Sequence, residues 1–190
     1  MPSQPLRTSP DISQINEYLF VSVWPEAKHA DEITQLGIGL ILSMHWMPPQ
    51  RTLRRLPLTV LWLPTIDTPL TPMPMRTLRR GVEAALPVIQ GGGKVLCHCK
   101  AGVHRSVAMA SCVLIGMGLS AEEAMATVKA GRSLADPDAA HIRSRIVRFE
   151  ALWRSASSIG FIGTALCHAK TQRRKVLLGV FAFFLLWLVS

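Results

Sequence analysis

A chain of 190 residues holds one ordinary domain and an appendage, and its 49% hydrophobic residues suffice for a sizeable core. The net charge of +9 turns it toward anionic partners, but without zinc spacing, an arginine–aromatic repeat or a recognition-helix pattern no nucleic acid is expected. Four cysteines without a Cys-x-x-Cys pair argue against a disulfide scaffold and fit a reducing, cytosolic setting.

Residues 1–14 are polar and rich in Pro and Ser, which predicts a loosely held arm without a signal peptide. Tyr18–Val23 reads as a strand, and residues 25–36 read as a helix with Pro25 near its first turn and Gly37 ending it. Gly39–Ser43 reads as a buried strand. A connection rich in Pro and Arg follows, and then a third strand over Val60–Leu63, which runs into Pro64-Thr65-Ile66-Asp67-Thr68-Pro69. Residues 73–89 form a predicted helix with Arg76, Arg79, Arg80 and Glu83 outward. Gly91-Gly92-Gly93 breaks the chain before a fourth strand, Lys94–Cys97. A loop leads into a helix over Arg105–Met117, ended by Gly118. Ser120 with Glu123 makes a capping box for the next helix, and Pro137 opens a last one reaching about Leu152. Asp136 and Asp138 read as helix-start residues.

Strands alternating with helices, the strands short and continuously apolar, predict an α/β fold: a mainly parallel central sheet flanked by helices, with a hydrophobic helix at the C-terminus. The expected organisation is a flexible arm (1–14), a catalytic domain (15–155), a basic linker (156–175) and a hydrophobic tail (176–190).

The chemistry concentrates in His98-Cys99-Lys100-Ala101-Gly102-Val103-His104-Arg105-Ser106. A strand, a tight loop and a helix start succeed one another there. Such a loop aims several backbone N–H groups at one point, and the helix dipole adds positive charge. An anion in it sits against the Cys99 sulfur, and that field favours the thiolate. A thiolate facing a phosphate is a nucleophile facing its electrophile. The planar fork of Arg105 can hold two phosphoryl oxygens, which a lysine cannot. The Ser106 hydroxyl can donate to the sulfur, or else cap the helix. Gly102 permits the tight backbone path.

The segment resembles the signature of the cysteine-dependent phosphatases: His-Cys, five residues, then Arg-Ser or Arg-Thr. Ala101 and Gly102 narrow the resemblance to the dual-specificity branch, over roughly residues 15–153. It implies a phosphatase-like fold and a cysteinyl-phosphate mechanism without metal or cofactor. Cys99 is then the nucleophile, Arg105 the phosphate clamp, and Ser106 the donor to the departing sulfur. His98, Lys100, Ala101, Gly102, Val103 and His104 make up the phosphate-binding loop, with His98 orienting it by hydrogen bonds. The family places an aspartate general acid on a loop before the cysteine. Asp67 stands 32 residues upstream of Cys99 and is the only acid between Glu32 and Glu83. The family often carries Asn after the downstream proline, bonded to the loop; here the residue is Asp138. Lys100-Ala101-Gly102 is similar to the phosphoinositide phosphatases of the superfamily, and with His104 it adds positive charge at the expected pocket mouth. Trp46, with Arg51, Arg54 and Arg55, is a candidate cleft wall, and His45 is read as a surface or capping residue. Cys97 and Cys112 are read as apolar filler.

Residues 176–190 carry no charge and follow Arg173-Arg174-Lys175. As a helix the run is about 22 Å long at ~1.5 Å per residue, short of the usual ~20-residue span, and snorkelling of the adjacent cations compensates. Its apolar residues fall on every side, so the expectation is a membrane anchor with the catalytic domain on the cytoplasmic side. The expected substrates are phosphotyrosine, phosphoserine and phosphothreonine proteins. A phospholipid phosphatase and a membrane-tethered phosphate-binding module without turnover are the alternatives.

Overall fold

The computed structural model describes residues 11–54 and 57–156. The expected linker and hydrophobic tail, and residues 1–10 of the arm, lie outside them. Residues 1–150 form one unit; of the second, 151–190, only 151–156 are described, and they are helical.

Five strands, β1 (Ile12–Gln14), β2 (Leu19–Ser22), β3 (Ile38–Ser43), β4 (Thr59–Trp62) and β5 (Lys94–His98), make one sheet in the order β1-β2-β5-β3-β4. All pairs are parallel except β1 with β2. The mainly parallel sheet matches the expectation, and β1 departs from it. Residues 12–14 are not a loose arm: Ile12, Ser13 and Gln14 pair with Ser22, Val21 and Phe20 along the sheet edge.

The helices are α1 (Ala30–Gln35), α2 (Met75–Gln90), α3 (Arg105–Gly116), α4 (Ala121–Gly131) and α5 (140–156). The predicted helix over 25–36 is split, with one 3-10 turn (Ala27–His29) before α1. The Ser120–Glu123 capping box is present at α4.

Parallel register puts Phe20, Leu96 and Ile41 in one row across β2, β5 and β3. They pack with Ile33 of α1 and with Leu53 and Leu58 in a buried cluster. Because side chains alternate along a strand, Val21, Cys97 and Leu42 turn to the other face. There α3 lies against the sheet, between α2 and α4, and every residue from Arg105 to Ile115 is buried. A helix buried along its whole length holds its first turn rigidly, and that turn carries Arg105 and Ser106.

Ser22, His98, Ser43 and Trp62 stand in one register row at the carboxyl ends of four strands. The segments leaving that row converge at the end of the sheet where parallel folds bind ligands.

Candidate active site

Cys99 leaves β5 fully buried, 1% exposed. Its Sγ lies 3.3 Å from the Ser106 Oγ and 3.3 Å from the Gly102 amide, which donates to it. Ser106 sits inside α3 and His104 holds the N-cap position, so the serine hydroxyl is turned to sulfur and does not cap the helix.

Outside partners take the loop's carbonyls. The Lys100 carbonyl accepts from the Trp24 amide, and the Val103 carbonyl accepts from the Asp136 amide at 3.0 Å. The Gly102 carbonyl accepts from Arg132 Nε at 2.8 Å. Fixing a carbonyl outward turns the peptide N–H on its far side inward, which is how such loops become anion cradles. Gly102 has φ +68°, and a Cβ there would come within 2.7 Å of Arg132 Nη2 and 2.9 Å of the Ser22 carbonyl oxygen. Only glycine follows this path without strain.

Arg132 escapes a reading of the sequence. It is 2% exposed, and besides Gly102 it binds both Asp11 carboxylate oxygens, at 3.0 and 3.1 Å, and the Ser13 hydroxyl. It ties the loop to the segment that forms β1, across more than a hundred residues of sequence. No local pattern carries that signal.

Arg105 is 6% exposed. Its Nη1 donates to the carbonyls of Met44, at 3.2 Å, and Thr65, at 2.9 Å. Its Nε is buried without a hydrogen-bond partner and lies 3.5 Å from Asp67 Oδ2. One side of the fork is therefore spent on fixing the guanidinium, and a buried donor remains for an anion.

Asp67 stands beyond β4. Its Oδ2 is 3.3 Å from His104 Nδ1, and its Oδ1 is 3.3 Å from His141 Nε2 of α5. His104 was expected to face the pocket mouth; the structure turns it to Asp67, with its Nε2 3.7 Å from Asp136 Oδ2. Lys100 and Ala101 are exposed on the rim, and Val103 is half-buried. Asp138 pairs with Arg143 at 3.0 Å; support for the loop comes from the Asp136 amide instead.

His98 is 1% exposed and neither of its ring nitrogens has a hydrogen-bond partner, so it does not orient the loop through hydrogen bonds as expected. It packs edge-on against Trp24, with centroids 5.7 Å apart, and Trp24 in turn meets His45 at 4.1 Å. Burial lowers the His98 pKa to about 4, with the Cys99 backbone opposing. His45 is also lowered, by burial first and then by Arg105 and Lys100. It is 4% exposed and accepts from the Met47 amide, so it is no surface residue. Cys97 and Cys112 are fully buried and their pKa values are pushed up by burial, as befits filler. Trp46, 61% exposed, flanks an open apolar depression with Thr65, Ile66 and Met73.

The family model "Dual specificity phosphatase, catalytic domain" matches residues 19–150. Mouse dual specificity protein phosphatase 22 is 30% identical over 134 residues, covering 67% of each chain. The chain spans 40–50% of the length of other curated relatives, among them the fission yeast tyrosine-protein phosphatase yvh1. Human DUSP28 superposes with a TM-score of 0.68 at 23% identity, over 76% of this chain and 96% of that one. PTPMT1, solved in complex with PI(5)P, superposes with a TM-score of 0.66 at 19% identity, over 77% of this chain and 99% of that one.

Proposed function

Since the chain belongs to the dual specificity phosphatase family and is a cysteine-dependent phosphatase, we propose that Cys99, Arg105, Ser106 and Asp67 carry out its chemistry on phosphorylated proteins. The observation that carries this assignment is the convergence on one point. The Cys99 sulfur, a loop with its carbonyls held outward, a fixed Arg105 with a spare buried donor, and Asp67 3.5 Å from that donor meet where the strands end.

The Cys99 thiolate attacks phosphorus, and the bond to the leaving oxygen breaks as Asp67 delivers a proton to that oxygen. The loop amides and Arg105 neutralise the oxygens that gain charge. Water then attacks the cysteinyl-phosphate, Asp67 takes its proton, and the sulfur departs toward the Ser106 hydroxyl. No metal or cofactor enters these steps. The loop amides at residues 100–104 are the phosphate-binding donors.

Protein substrates are favoured over lipids because His104 is drawn down to Asp67, which leaves Lys100 as the loop's exposed cation. A phospholipid substrate is the second reading; the lipid-bound PTPMT1 complex shares its fold, and the apolar rim of Trp46 and Ile66 suits a membrane surface. We also propose that residues 176–190, uncharged behind Arg173-Arg174-Lys175, anchor the protein to a membrane with the catalytic domain on the cytoplasmic side. Among the described residues no helix is long and apolar enough to cross one.

The test is aryl phosphate hydrolysis by the full chain in detergent with chelator present. Turnover is expected to vanish in Cys99→Ser and to fall ~10²–10⁴-fold in Asp67→Asn. A folded wild type without turnover would overturn the reading in favour of a tethered phosphate-binding module. Faster release from phosphoinositide vesicles than from phosphopeptides would move the substrate to lipid.

A further inference from the structure

Asp67, His104 and His141 come together from three separate elements. Each offers one ligand atom, and these atoms all lie within 4.8 Å of one another. Behind His104, Asp136 Oδ2 stands 3.7 Å from Nε2, the ring nitrogen turned away from Asp67. At that distance Asp136 makes no hydrogen bond to the ring, but a carboxylate facing the far nitrogen of an imidazole is the group that orients metal-binding histidines once it closes to hydrogen-bond distance.

We propose that Asp67, His104 and His141 bind a borderline divalent cation, Zn²⁺ by ligand type, and that its binding switches the phosphatase off. Two imidazole nitrogens and one carboxylate oxygen form a three-ligand set for zinc with an open fourth position. Magnesium and calcium, which take oxygen ligands, are disfavoured. Ligand atoms ~2.0–2.1 Å from a tetrahedral zinc stand about 3.3 Å apart. The two nitrogen–oxygen spacings at Asp67 are 3.3 Å each, His104 Nδ1 to Oδ2 and His141 Nε2 to Oδ1. The one-atom-per-residue spacings reach up to 4.8 Å, so a metal on one Asp67 oxygen requires the carboxylate and the two imidazoles to turn toward each other, and the affinity falls short of a preformed centre accordingly. The Arg105 guanidinium, 3.5 Å from Asp67 Oδ2, opposes a second cation and keeps the site weaker than a structural zinc centre. Shutdown rests on the role of Asp67 proposed above: a metal-bound carboxylate holds no proton for the leaving group.

The test is titration of the full chain, metal-free and in detergent, with Zn²⁺ by calorimetry and with Co²⁺ by absorption. Wild type and Cys99→Ser are expected to bind one equivalent alike, with a tetrahedral Co²⁺ spectrum free of thiolate charge transfer. His141→Ala is expected to weaken binding tenfold or more. In the Cys99→Ser background, His141→Cys is expected to introduce the thiolate band, which places the metal at position 141 without reliance on a loss. Loss of binding in Cys99→Ser, or unchanged affinity in His141→Ala, would overturn the site. Binding with undiminished wild-type turnover would overturn the switch. Binding is read without turnover, so a failed hydrolysis assay strikes the catalytic assignment alone.

Discussion

Replacing Gly102 by alanine tests whether the loop path is as constrained as the contacts around it indicate. Two costs combine. A non-glycine residue at φ +68° costs about 1–3 kcal/mol. The new Cβ also lies 2.9 Å from the Ser22 carbonyl oxygen, a backbone atom at the end of β2 that cannot swing aside, and 2.7 Å from Arg132 Nη2. Forced contacts of this kind add about 1–3 kcal/mol. Gly92 separates the two, because it has φ +80° with nothing within 4 Å of its Cβ. Gly92→Ala is therefore expected to lower Tm by the conformational part alone, about 2–12 °C at ~2–4 °C per kcal/mol, with turnover unchanged. Gly102→Ala is expected to lower Tm by roughly twice as much, and kcat/KM by ~10² or more, since loop donors leave the position where charge develops. Thermal melts and aryl phosphate kinetics on both variants read this directly. Equal Tm shifts, or a Gly102→Ala enzyme of wild-type activity, would refute the argument from Ser22 and Arg132.

Further expectations concern the residues around the loop. Arg132→Met removes the side-chain donor to the buried Gly102 carbonyl and one ion pair of Asp11, with a loss of about 1–3 kcal/mol by denaturant titration. Arg105→Lys keeps the charge but cannot hold Met44 and Thr65 while presenting Nε, so kcat/KM is expected to fall at least ~10²-fold with little change in Tm. His98 titrates near 6.5 when unfolded and at about 4 when folded, so the unfolded chain binds the extra proton between those values. Its contribution is complete above pH 6.5 and is lost as pH falls through 4, up to about 3 kcal/mol, with His45 acting in the same direction. Urea midpoints from pH 7 to pH 4 measure the slope, and His98→Gln is expected to flatten it.

These residues divide by how far along the chain their partners lie. The loop was legible because its chemistry is local: Cys99, Gly102, Arg105 and Ser106 fall within eight residues, and a strand and a helix with clear apolar runs bracket them. The core strands were legible as short continuous apolar runs, α2 by its outward Arg76, Arg79, Arg80 and Glu83, and α4 by its capping box. The β1 strand was not. Three residues in a polar, proline-rich stretch carry no alternation, and their pairing depends on β2 and on Arg132 binding Asp11. The last helix was legible, but not that it brings His141 to Asp67, 74 residues away.

That division bears on catalysis. In the proposed mechanism the residues read from the sequence supply the reacting groups, and contacts that the sequence does not show determine where those groups sit. Arg132 and Asp136 hold the carbonyls of Gly102 and Val103 outward, and His104 and His141 hold Asp67. The proposed first step asks the Asp67 carboxyl to reach the leaving oxygen, so its contacts to His104, His141 and Arg105 determine how accurately the acid is placed. His141→Phe, which keeps a ring of similar size and removes one contact to the carboxylate, is expected to lower kcat for an alkyl phosphate, whose poor leaving group needs the acid, by ~10-fold or more while KM and the kcat for an activated aryl phosphate change little. Kinetics identical to wild type on both substrates would mean that His141 does not act on Asp67 in the working enzyme.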